Sequence, residues 1–235
     1  MAILQNSKKR NLFELVVAYV LILVTMWTSG RTQQVLLFTS ATWIVVTTFL
    51  LPDKAKFNGL EPLGFERSWW IVVVAVVMAA AAVGISAQLG TLHLPPGFER
   101  HAWRAWGYIV FAFVQQFILQ NYFLLRLRDL TSKTLLAVAI VAVLFALAHL
   151  PNPLLTFATL VWGFVACLLF LRCRDLYALG FAHAVLGLTI AFTVPNSIHH
   201  RMRVGLAYLT YRPDIHAHSA EPEQPYSISP SVGDR

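Results

Sequence analysis

The side chains with chemical potential in this 235-residue chain are amides and imidazoles set in apolar sequence. Gln115, Gln116, Gln120 and Asn121 fall within seven residues. His149 and His183 occupy two later apolar blocks, and the other six histidines lie in loops or the tail. An amide donates and accepts hydrogen bonds but takes no proton at an accessible pH, whereas an imidazole exchanges one near neutrality. On a helix Gln116 and Gln120 share a face, with Gln115 on an adjacent one. Phe145 shares a face with His149. Gly187 shares one with His183 and leaves a gap through which another group can approach. Two chemistries fit these types. One is interhelical hydrogen bonding, at about 0.6–2 kcal/mol per contact. The other is a buried polar pocket, the default meaning of polar residues inside a bilayer. Catalytic zinc takes three protein ligands plus water. The apolar interior offers two histidines and no carboxylate near the middle of a block, so neither a metal nor another cofactor is implied.

The elements that hold these residues are long apolar segments. The chain is 57% hydrophobic and 12% charged, with mean hydropathy +0.64, against about 25% charged residues in a soluble domain. Apolar blocks run over approximately 12–28, 35–51, 69–89, 103–125, 134–150, 154–171 and 176–194. Each is long enough at about 1.5 Å per residue to cross a hydrocarbon core of about 30 Å with some adjustment. Pro52, Pro95, Pro96, Pro151, Pro153 and Pro195 punctuate them. The expected fold is all-α, a polytopic transmembrane bundle of about seven helices. Its expected parts are a cytoplasmic N-terminus (1–11), a transmembrane domain (12–195), an interfacial segment (196–211) and a disordered polar tail (212–235). The first apolar run lacks an A-x-A cleavage pattern and reads as a retained helix rather than a signal peptide.

The net charge of +7 comes from basic residues standing singly or in pairs between apolar blocks. No helix presents a basic face, so the charge reads as membrane topology and not as a nucleic-acid surface. With the N-terminus inside, eleven Lys and Arg residues, Arg126 among them, fall on inner segments, and only Arg31, Arg100 and Arg104 fall on outer ones. That bias predicts a cytoplasmic N-terminus, although Arg201, Arg203 and Arg212 after the seventh block count the other way. Of eleven acidic residues only Glu14 lies inside a block, near its end. Cys167 and Cys173 suggest neither a disulfide framework nor a CxxC site.

In order and spacing, QQFILQ at 115–120, FALAH at 145–149 and HAVLG at 183–187 resemble the three motifs of the CPBP intramembrane proteases. This is the CAAX-protease and bacteriocin-processing or self-immunity family, whose motifs read EExxxR, FxxxH and HxxxN. The likeness covers about 100–195. It implies a membrane endopeptidase acting on a peptide or lipidated-peptide segment, with membrane lipid as its surroundings and no cofactor. It assigns catalysis to Gln115, Gln116, His149 and His183, and the pocket to Gln120, Phe145 and Gly187. The departures fall on the chemistry. Glutamines replace both glutamates that activate water in the family, Gln120 replaces its arginine and Gly187 its asparagine. Carboxylates and their arginine are thus absent together, which avoids an unpaired buried charge. Three readings follow: an endopeptidase with His149 or His183 as base, a pseudoprotease that binds such a segment without cutting it, and a transporter. A transporter predicts repeated halves or broken helices. The only internal echo is GFER at 64–67 and 97–100, which suits two interfacial helix starts.

Overall fold

A computed structural model describes residues 2–50, 63–92 and 98–212, and all regular structure among them is helical. The helices are α1 (Ala2–Met26), α2 (Gly30–Val45), α3 (Leu63–Gln88), α4 (Phe98–Phe117), α5 (Leu125–Leu130), α6 (Thr134–Leu147), α7 (Pro153–Cys173), α8 (Leu176–Thr193), α9 (Asn196–His199) and α10 (Gly205–Leu209). A π-helical turn (Val46–Leu50) continues α2, and a seven-residue π-helix (Ile118–Leu124) joins α4 to α5. Each of the seven apolar blocks therefore carries a helix, and the molecule is a helical membrane bundle. Among the described residues, four segments are long and apolar enough to cross a membrane: Glu66–Gln88, Ala105–Leu130, Pro153–Cys173 and Leu176–Thr193. α6 is shorter, at 14 residues, and α2 has 16 before its π-turn. α1 starts ten residues earlier than the apolar block, because residues 2–11 contain no Gly or Pro and are mostly good helix formers. Of the tail expected over 212–235, all but Arg212 lies outside the described residues, as do Pro52, Pro95 and Pro96.

Local chemistry sets the helix ends around the centre. Asn152 caps α7 by accepting the Leu155 amide at 3.2 Å, with Pro153 at the first helical position. Asp175 caps α8 by accepting the amides of Tyr177 at 2.8 Å and Ala178 at 3.2 Å. Its other oxygen accepts the Ser68 hydroxyl, which fastens α3 to α8. α8 packs between α3 and α4, while α6 packs on α7. Large apolar side chains such as Phe38, Val77, Trp103 and Phe157 point outward, as lipid contact permits. Inside, α8 uses glycine where α4 approaches most closely: a Cβ at Gly180 would overlap the Phe113 ring, and one at Gly187 the Tyr108 hydroxyl.

Arg126, counted above among inner-loop charges, is buried within α5 and paired with Glu14 of α1. Its Nε donates to Glu14 Oε2 at 3.1 Å, and Nη2 donates to the Thr47 carbonyl at 3.0 Å. Its guanidinium also lies over the Tyr122 ring, 3.9 Å from the centroid. Arg10 approaches the other Glu14 oxygen at 3.4 Å.

Residues 196–211 fold back on the bundle. The Gly205 amide donates to the Leu150 carbonyl at 2.8 Å, and Asn152 Nδ2 donates to the carbonyls of His199 at 2.9 Å and Arg203 at 3.0 Å. His199, almost fully buried, donates from Nε2 to the Val194 carbonyl at 2.8 Å and accepts the Met202 amide at Nδ1 at 2.9 Å. This segment thus clasps the turn that follows His149.

Candidate functional site

α4 ends with Gln116 fully buried against α8, and the π-helix that follows widens the turn so that Gln120 and Asn121 are buried too. π-segments of this kind are frequent at functional sites. Gln116 Nε2 lies 3.0 Å from His183 Nδ1, and Gln120 Nε2 donates to Gln116 Oε1 at 3.2 Å. His149, at the end of α6, places Nδ1 2.7 Å from the Phe145 carbonyl. The Phe145 ring stands between the imidazoles, edge-on to both, at 4.9 Å from His149 and 6.0 Å from His183. Gln116, Gln120, Phe145, His149 and His183 thus form one cluster drawn from α4, α6 and α8. His149 is half-buried and His183 buried.

The hydrogen bonds fix complementary states for the two neutral histidines. A carbonyl only accepts, so His149 Nδ1 carries its proton and Nε2 keeps a free lone pair. Gln120 donates to the Gln116 oxygen, so the Gln116 amide nitrogen faces His183 and donates to Nδ1. His183 then carries its proton on Nε2. One imidazole offers an acceptor and the other a donor.

Residues 101–189, which include every motif residue from Gln115 to Gly187, match the family model of type II CAAX prenyl endopeptidase Rce1-like proteins. Over that segment the chain is similar to the CAAX-protease family. No curated protein and no solved structure matches the chain. Against the family pattern, Gln115 stands apart: it is half-buried on another flank of α4 and makes no hydrogen bond to a described residue. Gly187 supplies no side chain, and Tyr108 of α4 fills its place with a hydroxyl that hydrogen-bonds to no described residue. Spacing gave no signal for Tyr108 beyond the Gly187 gap, since aromatic residues are common in apolar helices. Trp162 of α7 was equally silent in the sequence. Its ring lies 6.0 Å from that of His183, and its buried Nε1–H has no partner. Gln120 Oε1 is likewise buried without a hydrogen bond. Among the described residues no three His, Cys, Asp or Glu side chains gather as a metal site requires.

Proposed function

We propose that this CAAX-protease-like membrane protein is an intramembrane endopeptidase in which His149 activates water and His183 polarises the scissile carbonyl. The observation that carries this reading is the pair of imidazole contacts on either side of Phe145, His149 Nδ1 against the Phe145 carbonyl and His183 Nδ1 against Gln116 Nε2, which favour opposite tautomers. His149 Nε2 takes a proton from water as the oxygen attacks the carbonyl carbon, and the oxygen of that carbonyl gains negative charge. His183 Nε2–H donates to this oxygen, a stabilisation that grows with the charge. The intermediate collapses by breaking the C–N bond, and His149 returns its proton to the leaving amine. Gln116 and Gln120 act through His183 by holding its proton on Nε2, so they are positioning residues. The partner of this site is a peptide segment, lipidated on the side that meets the bilayer.

A second reading, a pseudoprotease that holds the segment uncut, has its own support. Neither imidazole hydrogen-bonds a carboxylate among the described residues, so nothing anionic stabilises a protonated histidine. One assay separates the two. The protein in lipid nanodiscs is offered a pooled library of farnesylated peptides, and products are read by mass spectrometry. The endopeptidase cleaves, and His149→Ala lowers the rate by about 10²–10⁴-fold. The base must be neutral, so activity falls as pH drops through the imidazole range and is retained above it. Retention of the peptides without products, lost in His183→Ala, would establish the pseudoprotease instead. Cleavage indifferent to both histidines would place the chemistry elsewhere.

A further inference from the structure

His149 stands just beyond the last residue of α6, where the α-helical ladder has ended. Its amide donates to the Ala146 carbonyl at 2.9 Å and its carbonyl accepts the Asn152 amide at 3.1 Å, both three-residue steps of a tight turn. Helix ends fray, yet a general base must hold its place, since a displacement of about 1 Å can lower a rate by about 10²-fold. The fastening comes from outside the turn. Asn152 is completely buried. Its Oδ1 caps α7, and its Nδ2 donates to the carbonyls of His199 at 2.9 Å and Arg203 at 3.0 Å. The Gly205 amide adds a bond to the Leu150 carbonyl at 2.8 Å. At the far end, His199 Nε2 donates at 2.8 Å to the carbonyl of Val194, the residue that closes α8, and Nδ1 accepts the Met202 amide at 2.9 Å. The strap 199–205 therefore ties the end of α8, the helix of His183, to the turn of His149. Those two histidines come from separate packing units, with α6 against α7 and α8 between α3 and α4.

The backbone of the strap gives a second, independent sign. His200, Arg201 and Met202 have φ of 48°, 54° and 60°. Three successive non-glycine residues thus occupy the left-handed region, where an L side chain crowds the following carbonyl. A run of this kind persists only where its surroundings over-determine it, and such residues gather at functional sites. Here the carbonyls that flank the run, those of His199 and Arg203, both reach the single nitrogen Asn152 Nδ2. We propose that Asn152 and His199 are positioning residues that fix His149 relative to His183 through this strap. The consequence for rate rests on the reading of His149 as the base, whereas the fixing of its imidazole requires no cleavage.

The test combines two readouts on the full-length protein in lipid nanodiscs. Nitrogen NMR of ring-labelled histidine, assigned with His149→Ala and His183→Ala, reports where each imidazole holds its proton, and cleavage of the farnesylated peptides gives kcat and KM. Asn152→Asp is the decisive variant, because a carboxylate still caps α7 but cannot donate to the strap. In wild type His149 is a single tautomer protonated on Nδ1. In Asn152→Asp it becomes a mixture, while His183, held by Gln116, keeps its signal. kcat falls by about 10²-fold and KM moves by no more than about twofold. Tyr122→Phe, a lesion of fold stability away from the histidines, changes neither readout. An Asn152→Asp protein with the wild-type His149 signal, beside a damaged Asn152→Ala, would reduce Asn152 to a helix cap and overturn the proposal. If Asn152→Asp fails to fold, His199→Phe decides the question. It keeps a ring and removes both of the bonds described for His199, so the His149 tautomers should mix there too, and an unchanged His149 signal would overturn the strap. Where wild type cleaves no peptide, the reading of His149 as base falls, and the same spectra still uphold or overturn the positioning.

Discussion

The Glu14–Arg126 centre and the Gln116–His183 centre hang from the same stretch of chain, α4 through α5, yet they solve burial differently. In the first, a carboxylate meets two guanidiniums, and Tyr122, Trp43 and Thr47 complete the shell. The Glu14 carbonyl accepts the Tyr122 hydroxyl at 3.2 Å and the Trp43 indole at 3.3 Å. In the second every group is neutral, and two polar atoms, Trp162 Nε1 and Gln120 Oε1, are buried without partners. A network of paired charges holds helices together, because any opening leaves an unpaired ion in a medium of low dielectric. A neutral and unsaturated cluster costs little to open and has hydrogen bonds left to give. The family pattern would put carboxylates and an arginine at 115, 116 and 120. This helix carries its arginine six residues beyond Gln120 and takes the carboxylate from α1.

The largest expected effect breaks the charged centre. Arg126→Met leaves Glu14 buried with only the partly exposed Arg10, and thermal unfolding in detergent should show a loss of about 3–5 kcal/mol. Adding Glu14→Gln should recover much of it, since removing both charges ends the uncompensated burial. If Arg126→Met is as mild as a change in the neutral cluster, the contrast between the two centres fails.

Next comes Gln116→Leu. It takes the acceptor from Gln120 and the donor from His183, for a stability cost of about 0.6–2 kcal/mol. Its effect on peptide cleavage should exceed its effect on stability, because His183 is then free to exchange tautomers. Gln116→Glu sharpens the point. The carboxylate still accepts from Gln120 but cannot donate to His183 Nδ1, so the imidazole must turn, move its proton to Nδ1 or take up a second one. The amide–imidazole stretching pattern of isotope-labelled histidine in infrared spectra reads which occurs. An unchanged His183 signal would refute the assigned direction of the hydrogen-bond chain.

The sequence makes the helices visible because the apolar runs are long and proline marks their ends. It also brings out Gln116, Gln120, Phe145, His149 and His183, whose four-residue spacings hold each set on one face. Four features stayed hidden for physical reasons. Arg126 follows an apolar run and looks like its aqueous boundary; its partner is 112 positions away on α1, and such a pairing leaves no local pattern. Gln115 looks equivalent to Gln116 in sequence, but one step of about 100° on a helix turns it to another flank. Tyr108 and Trp162 are apolar by composition and become polar actors only through what their hydroxyl and indole N–H fail to meet. The π-helix over 118–124 is likewise unreadable from residue types that are all compatible with an α-helix.

The smallest expected effect compares two tyrosines, one in each environment. The Tyr122 hydroxyl lies 3.0 Å from the Thr47 hydroxyl and donates to the Glu14 carbonyl, so Tyr122→Phe removes satisfied bonds and should cost about 0.5–1.5 kcal/mol. The Tyr108 hydroxyl packs in the space left by Gly187 and bonds to no described residue, so Tyr108→Phe should leave the unfolding temperature near that of wild type. Removing an unsatisfied hydroxyl relieves a desolvation penalty as much as it loses packing. Function should respond in the opposite order. Tyr122 braces α1 and α2 away from the histidines, so Tyr122→Phe should leave the KM for a cleaved peptide unchanged. Tyr108 stands on the His183 face of α8 where the family carries an asparagine, and its hydroxyl is free to donate to a bound peptide. Tyr108→Phe should therefore raise KM several-fold, about what one neutral hydrogen bond contributes, with little change in fold stability. A Tyr108→Phe protein that matches wild type in both stability and KM would mean that the hydroxyl only fills the Gly187 gap, and the unsaturated donors at this centre would reduce to His183 and Trp162.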